Sequence, residues 1–145
     1  MVPIRLLREK KELAGTGYFE IQPGRYDGQH WTDGSVFIDE EVFGYLEVII
    51  ERHDPTINHF AVSEVQREIW ERIIVDFEQL AGKLRSTNDL GHLLDEVRFF
   101  NRDSADRFAS DCRANADALA ELIRELNSWL QEELKKHNCV SVLGV

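Results

Sequence analysis

The sequence predicts an α+β fold: a mainly helical body of three to four helices, with a small sheet built from N-terminal strands and one C-terminal strand. Three observations point there. Apolar residues recur at steps of three and four over most of 39–136, short apolar or alternating runs lie near the two ends, and turn-forming Gly and Pro crowd into 15–34. The chain has 145 residues, 43% hydrophobic and 10% aromatic, and a domain of about 150 residues buries roughly 70% of its unfolded surface. Residues 1–145 therefore read as a single globular domain, without repeat, low-complexity segment or linker.

Taken in order, residues 4–7 and 18–21 are short apolar runs around Gly15-Thr16-Gly17, which reads as two strands or a hairpin. Pro23-Gly24, Asp27-Gly28 and Asp33-Gly34 mark three turns, so 22–35 is a loop or small meander. Ser35-Val36-Phe37-Ile38 adds a short strand. Over 39–53, Val42, Phe43, Leu46, Ile49, Ile50 and His53 share one face of a helix, which Asp54-Pro55 ends. Ser63 and Gln66 form a capping-box pattern for a second helix, carried by Val65, Ile69, Trp70, Ile73, Ile74, Phe77, Leu80, Ala81 and Leu84. Residues 90–100 read as a shorter helix, or with Val97-Arg98-Phe99-Phe100 extended. Asp103 or Ser104 can cap a long helix reaching about Lys136, packed through Phe108, Cys112, Leu119, Leu122, Ile123, Leu126, Leu130 and Leu134. The Val-rich run 139–143 is a final strand expected to join the N-terminal ones.

Seventeen basic against twenty-seven acidic side chains give a formal charge of −10. Nucleic acid and anionic membrane both demand cationic surface, so neither is an expected partner; a basic protein is. The acidity is clustered. Residues 26–54 hold Asp27, Asp33, Asp39, Glu40, Glu41, Glu47, Glu51 and Asp54 against Arg52 alone. No apolar run approaches the ~20 residues of a membrane span, and the N-terminus reaches charge at Arg5 without an export-signal pattern. Cys112 and Cys139 lack disulfide or zinc spacing and read as reduced structural thiols. A cytoplasmic protein is expected.

The commonest catalytic spacings are missing: no phosphate-binding loop, no Gly-x-Ser-x-Gly and no paired helical histidines. His53-Asp54 is a possible metal dipeptide, but His30, His59 and His92 lie in separate segments, and a His at a helix end suits the dipole. Neither metal nor cofactor is expected. Glu40, Gly44, Glu47 and Glu51 fall opposite the apolar face of the 39–53 helix as one acidic stripe. Glu47 and Glu51 repel at i, i+4 with no neighbouring base to neutralise them on that stripe. Gly44 lowers helix stability by about 1 kcal/mol relative to Ala, which suits close approach of something to the backbone. The preceding loop carries Tyr26, His30 and Trp31 between its turns, and Trp31 reads equally as an interface anchor or as a cover over the core. Asp27, Trp31, Asp33, Glu40, Gly44, Glu47 and Glu51 are thus the candidate partner-binding residues, with no catalytic residue expected.

The helical run Ala118-Leu119-Ala120-Glu121-Leu122-Ile123-Arg124-Glu125-Leu126, then Ser128-Trp129-Leu130 and Val140-Ser141-Val142-Leu143-Gly144, resembles the small acidic immunity proteins of bacterial contact-dependent and polymorphic toxin systems. The resemblance covers the helical body and last strand and carries over no contact residue. It implies a cytosolic binder that blocks a cognate, often basic, nuclease toxin. Two other readings compete with it. One is a small metal-dependent hydrolase using Glu47, Glu51, Asp54 and His53; the other is an adaptor whose strand 139–143 pairs with a neighbouring chain through an exposed edge. Oligomeric state is not legible in the sequence.

Overall fold

Two alternating segments from opposite ends of the chain lie side by side at the centre of the sheet: β1 (Tyr18–Pro23) and β4 (Cys139–Leu143). This computed structural model describes residues 3–15 and 17–145, and of Leu90 the backbone alone. β2 (Val36–Asp39) flanks β1 and β3 (Val62–Gln66) flanks β4, so the antiparallel order is β2-β1-β4-β3. The chain is therefore α+β, with the final strand joined to the N-terminal one. Because β4 is central, the edge-pairing expected of an adaptor has no free edge at 139–143; the edges belong to β2 and β3.

Side chains alternate across this sheet. Phe19, Ile21, Val36, Ile38, Val65, Val140 and Val142 enter the main core. Above them lie α3 (Arg67–Ser86) and α5 (Cys112–Leu134), which pack against each other through Trp70, Ile73, Phe77, Leu80 and Leu84 on one side and Leu119, Leu122, Ile123, Leu126 and Leu130 on the other. Each such large side chain contributes roughly 1.5–3 kcal/mol when buried. The Trp70 indole Nε1 donates to the Val140 carbonyl at 3.0 Å, tying helix layer to sheet.

The opposite face of an antiparallel sheet is commonly left to water. Here Glu20, Gln22, Phe37, Ser141 and Leu143 on that face are buried too. The loop 24–35 covers them: Trp31 stacks on Phe37 at 5.6 Å between ring centroids, and Ser141 Oγ donates to the Gly24 carbonyl at 2.7 Å.

Several elements differ from the sequence expectation. Residues 4–7 form no strand beside 18–21; Leu7 alone bridges to Phe37 at the edge of β2. Thr16, the centre of the expected turn, lies outside the described residues. The single helix over 39–53 is two helices, α1 (Glu40–Gly44) and α2 (Glu47–His53). Every residue from 42 to 50 except Val48 is buried, which one straight amphipathic helix cannot achieve, since it buries a single stripe. The break at Tyr45-Leu46 turns both flanks inward, and Tyr45 and Leu46 donate to the carbonyls of Val42 and Phe43.

The supposed capping box at Ser63 and Gln66 lies in β3, whose ladder is closed by Arg67 N–H on the Asn138 carbonyl at 2.8 Å. Residues 90–100 hold one 3-10 turn at Leu90–Leu93, continue as a turn through Glu96, whose N–H and that of Val97 donate to the Leu93 carbonyl, and then leave regular structure, with Val97 buried and Phe99 packed on Tyr45 and Phe108. The long C-terminal helix is also two: Asn101 caps α4 (Arg102–Ser110) through Ser104 N–H at 2.8 Å, and Asp111 leaves helical geometry before α5. Asn115 Nδ2 donates to the Phe108 carbonyl freed by that break. Neither cysteine forms a disulfide. Among the described residues, no helix is long and apolar enough to cross a membrane.

Candidate functional site

The candidate residues of the sequence fall into two places. Asp27, Trp31 and Asp33 lie on the covering loop; Glu40, Gly44, Glu47 and Glu51 lie on α1 and α2.

The second set is not a solvent-facing stripe. Gly44 is buried, and Glu47 is only 7% exposed. The bases that the local sequence lacks arrive from elsewhere in the chain. His59 Nδ1 lies 2.8 and 3.0 Å from the two Glu47 carboxylate oxygens, and its Nε2 lies 3.4 Å from Glu40. Arg98 grips Glu51 with both terminal nitrogens, at 3.1 and 2.8 Å. Ser104 Oγ and Arg107 both donate to Glu41 Oε1, at 2.7 and 2.8 Å. Burial alone would lower the His59 pKa, but the bonds and charges of Glu47 and then Glu40 outweigh it and hold the imidazole above its usual value. For Glu41, burial pushes the carboxyl up while Ser104 and Arg107 pull it below its usual value. The contact at Gly44 is the chain's own: a Cβ there would meet Glu47 Oε1.

Nor do the proposed hydrolase residues converge. His53 Nε2 lies 2.6 Å from Asp76 Oδ2, Asp54 Oδ1 accepts from Thr56 N–H and Oγ, and Glu47 and Glu51 have the partners given above. Among the described residues, no group of three or more His, Cys, Asp or Glu side chains is placed to hold a metal ion.

The loop is built differently. Its Asp-Gly turns place Gly28 and Gly34 at φ +91°, a region open to glycine. Trp31 also lies at positive φ, +63°, where a bulky residue is strained by about 1–3 kcal/mol. Glu20 holds it there. One carboxylate oxygen accepts Trp31 N–H at 2.6 Å; the other accepts Thr32 N–H at 2.9 Å, Ser35 Oγ at 2.6 Å and Gln22 Nε2 at 3.4 Å. Gln22 Nε2 further ties the Gln29 carbonyl and Thr32 Oγ1. The indole is half-buried and stacked on Phe37: it covers the sheet and still reaches the surface.

Beside it opens a groove of about 210 Å³, walled by Tyr18, His30, Trp31, Phe37 and residues 143–145, with Glu20 in its lining. Asp27 and Asp33 stand exposed on the same loop, Asp33 with Lys10 at 3.5 Å. The sequence reading missed Glu20, Tyr18 and Phe37. Their short apolar runs do not show which face each side chain takes, and nothing local said that a loop would cover the second face. The long, turn-rich loop itself was the available signal, since such loops are commonly functional.

A comparison of the chain with family models, curated proteins and solved structures finds no match.

Proposed function

We propose that this chain is a cytoplasmic immunity protein, a binding module that neutralises a basic toxin domain by covering a surface the toxin needs. The observation that carries the reading is the Trp31 loop: a strained tryptophan, fixed by a buried carboxylate, beside an open aromatic groove and the exposed Asp27 and Asp33. Interfaces concentrate their energy in aromatic anchors held rigid before binding. The formal charge of −10 adds steering toward a basic partner. The resemblance of the 118–130 and 140–144 segments to acidic immunity proteins points the same way.

The test uses the intact chain as bait in its native host at low and moderate salt, followed by mixing the purified partner with the chain. The expected result is one basic domain whose activity falls in proportion to added chain up to one equivalent. Asp27→Lys with Asp33→Lys should slow association about tenfold at low salt and far less at high salt. Recovery of no specific protein, or of one whose activity is unchanged in the complex, overturns the proposal.

A further inference from the structure

We infer that the groove beside Trp31 receives one basic side chain of the partner, a lysine or arginine, whose cationic head lies against Trp31 and Tyr18 and over Glu20. The inference rests on the reading of the chain as a binder of a basic protein and names how that partner is held.

Size decides the class of occupant. The groove, about 210 Å³, is smaller than the roughly 300–1,000 Å³ of sites for drug-sized ligands. A groove of that size suits one long side chain.

Charge decides its sign. Glu20 is 4% exposed, and all its hydrogen-bond donors are uncharged: two backbone N–H groups, a hydroxyl and a side-chain amide. Among the described residues it joins no ion pair. In the acidic part of the chain, by contrast, Glu40 and Glu47 share His59, Glu41 meets Arg107 and Glu51 meets Arg98. Carboxylates in such surroundings are normally paired. One oxygen of Glu20 accepts from Trp31 N–H alone and keeps a lone pair for a further donor.

The walls fit the same occupant. Aromatic faces attract cations through the ring quadrupole, most strongly for Trp, and hold the aliphatic stem of lysine or arginine by contact. The strain at Trp31 also gains a purpose: its left-handed backbone is what sets the indole beside the groove while its N–H is spent on Glu20.

The experiment needs no partner. N-acetyl-arginine methylamide, N-acetyl-lysine methylamide and neutral N-acetyl-norleucine methylamide are titrated into ¹⁵N-labelled intact chain while the Trp31 indole and the backbone amides of Trp31, Thr32 and Gly144 are followed by NMR, with the indole assigned through Trp31→Phe. The expected result is saturable shifts confined to these groups for at least one cationic probe, at least tenfold weaker binding of the norleucine probe, and weakening in high salt. Equal response to the neutral probe, no saturable response, or shifts spread over the surface overturns the inference. Phe37→Leu, which leaves Glu20 in place, should weaken the cationic probe severalfold. Once a partner is in hand, a complex that forms without moving the Trp31 resonances overturns this inference and leaves the immunity reading standing. Saturable probe binding with no basic partner overturns the immunity reading alone.

Discussion

Removing the His59 imidazole asks whether the carboxylates of α1 and α2 are held by the chain itself. In His59→Ala, Glu47 and Glu40 lose their shared base, and Glu47, 7% exposed, keeps a charge with no partner. A hydrogen bond to a charged group contributes about 1.5–3 kcal/mol, while breaking a fully buried ion pair costs about 3–5 kcal/mol. The imidazole side chain is 21% exposed, so water screens part of the loss and about 2–3 kcal/mol is expected. For a domain of this size that lowers Tm by about 5–10 °C.

The pH dependence has a definite sign. The folded state raises the His59 pKa, so it stabilises the protonated imidazole. That stabilisation is complete below the unfolded value of about 6.5 and fades as pH rises through the folded value. The gap between parent and variant should be widest near pH 6 and narrow toward pH 9. His59→Ala combined with Glu47→Gln should recover about 1 kcal/mol by removing the orphaned charge. Urea unfolding followed by circular dichroism across this range measures it. A gap that stays constant or widens toward pH 9, or a double variant no more stable than His59→Ala, refutes the reasoning.

Two glycines should respond to alanine with opposite signs in the same unfolding assay. Gly82 lies exposed in α3 with nothing within 4 Å of an added Cβ, so Gly82→Ala should stabilise by about 0.5–1 kcal/mol. At Gly144 the Cβ would press on the carbonyl group of His59, and Gly144→Ala should destabilise by about 1–3 kcal/mol. Glu41→Gln should cost about 1–2 kcal/mol at pH 7 and less as the pH falls; the folded state lowers the Glu41 pKa, so its contribution is present above the unfolded value and lost as pH falls through the folded one. Cys139, whose thiol burial and then Glu64 push upward, should react with a thiol reagent at pH 8 at least tenfold more slowly than the half-buried Cys112. Equal rates would contradict that placement.

What the sequence made legible was periodicity. The apolar steps of α3 and α5 and the alternation of β4 are strong; α3 and β4 sit within a few residues of their expected places, while the helix expected from Asp103 or Ser104 is broken at Asp111 into α4 and α5. Where several faces of a segment are buried, period loses its meaning. Residues 42–50 are apolar enough for a helix, but the break at Tyr45-Leu46 follows from a core on both sides, which no local pattern encodes. β3 was hidden for the opposite reason: only Val65 of its five residues is buried, and Ser63 with Gln66 imitated a cap. Residues 97–99 lie outside any helix, with Val97 and Phe99 turned inward while Arg98 reaches out to Glu51.

The charge cluster was legible as composition and misleading as geometry. Eight carboxylates in 26–54 look unopposed only along the chain. In space Asp33 meets Lys10, Asp39 caps α1 through Glu41 N–H, Glu40 and Glu47 share His59, Glu41 meets Arg107, Glu51 meets Arg98, and Asp54 closes the turn at Thr56. The bases of Asp33, Glu40, Glu41, Glu47 and Glu51 come from before and after the cluster, so for these five the repulsion that favoured an external partner is met internally. Glu47→Lys, attractive as a test of a charged surface, would set a cation beside His59 and report on folding. Among the described residues two buried carboxylates, Glu20 and Asp54, have no internal base; Asp54 closes a local turn at Thr56, whereas Glu20 lines the groove, in a strand whose neighbours gave no reason to single it out. A search for a partner's contact is therefore better aimed where the fold leaves charge unmet than where the sequence concentrates it.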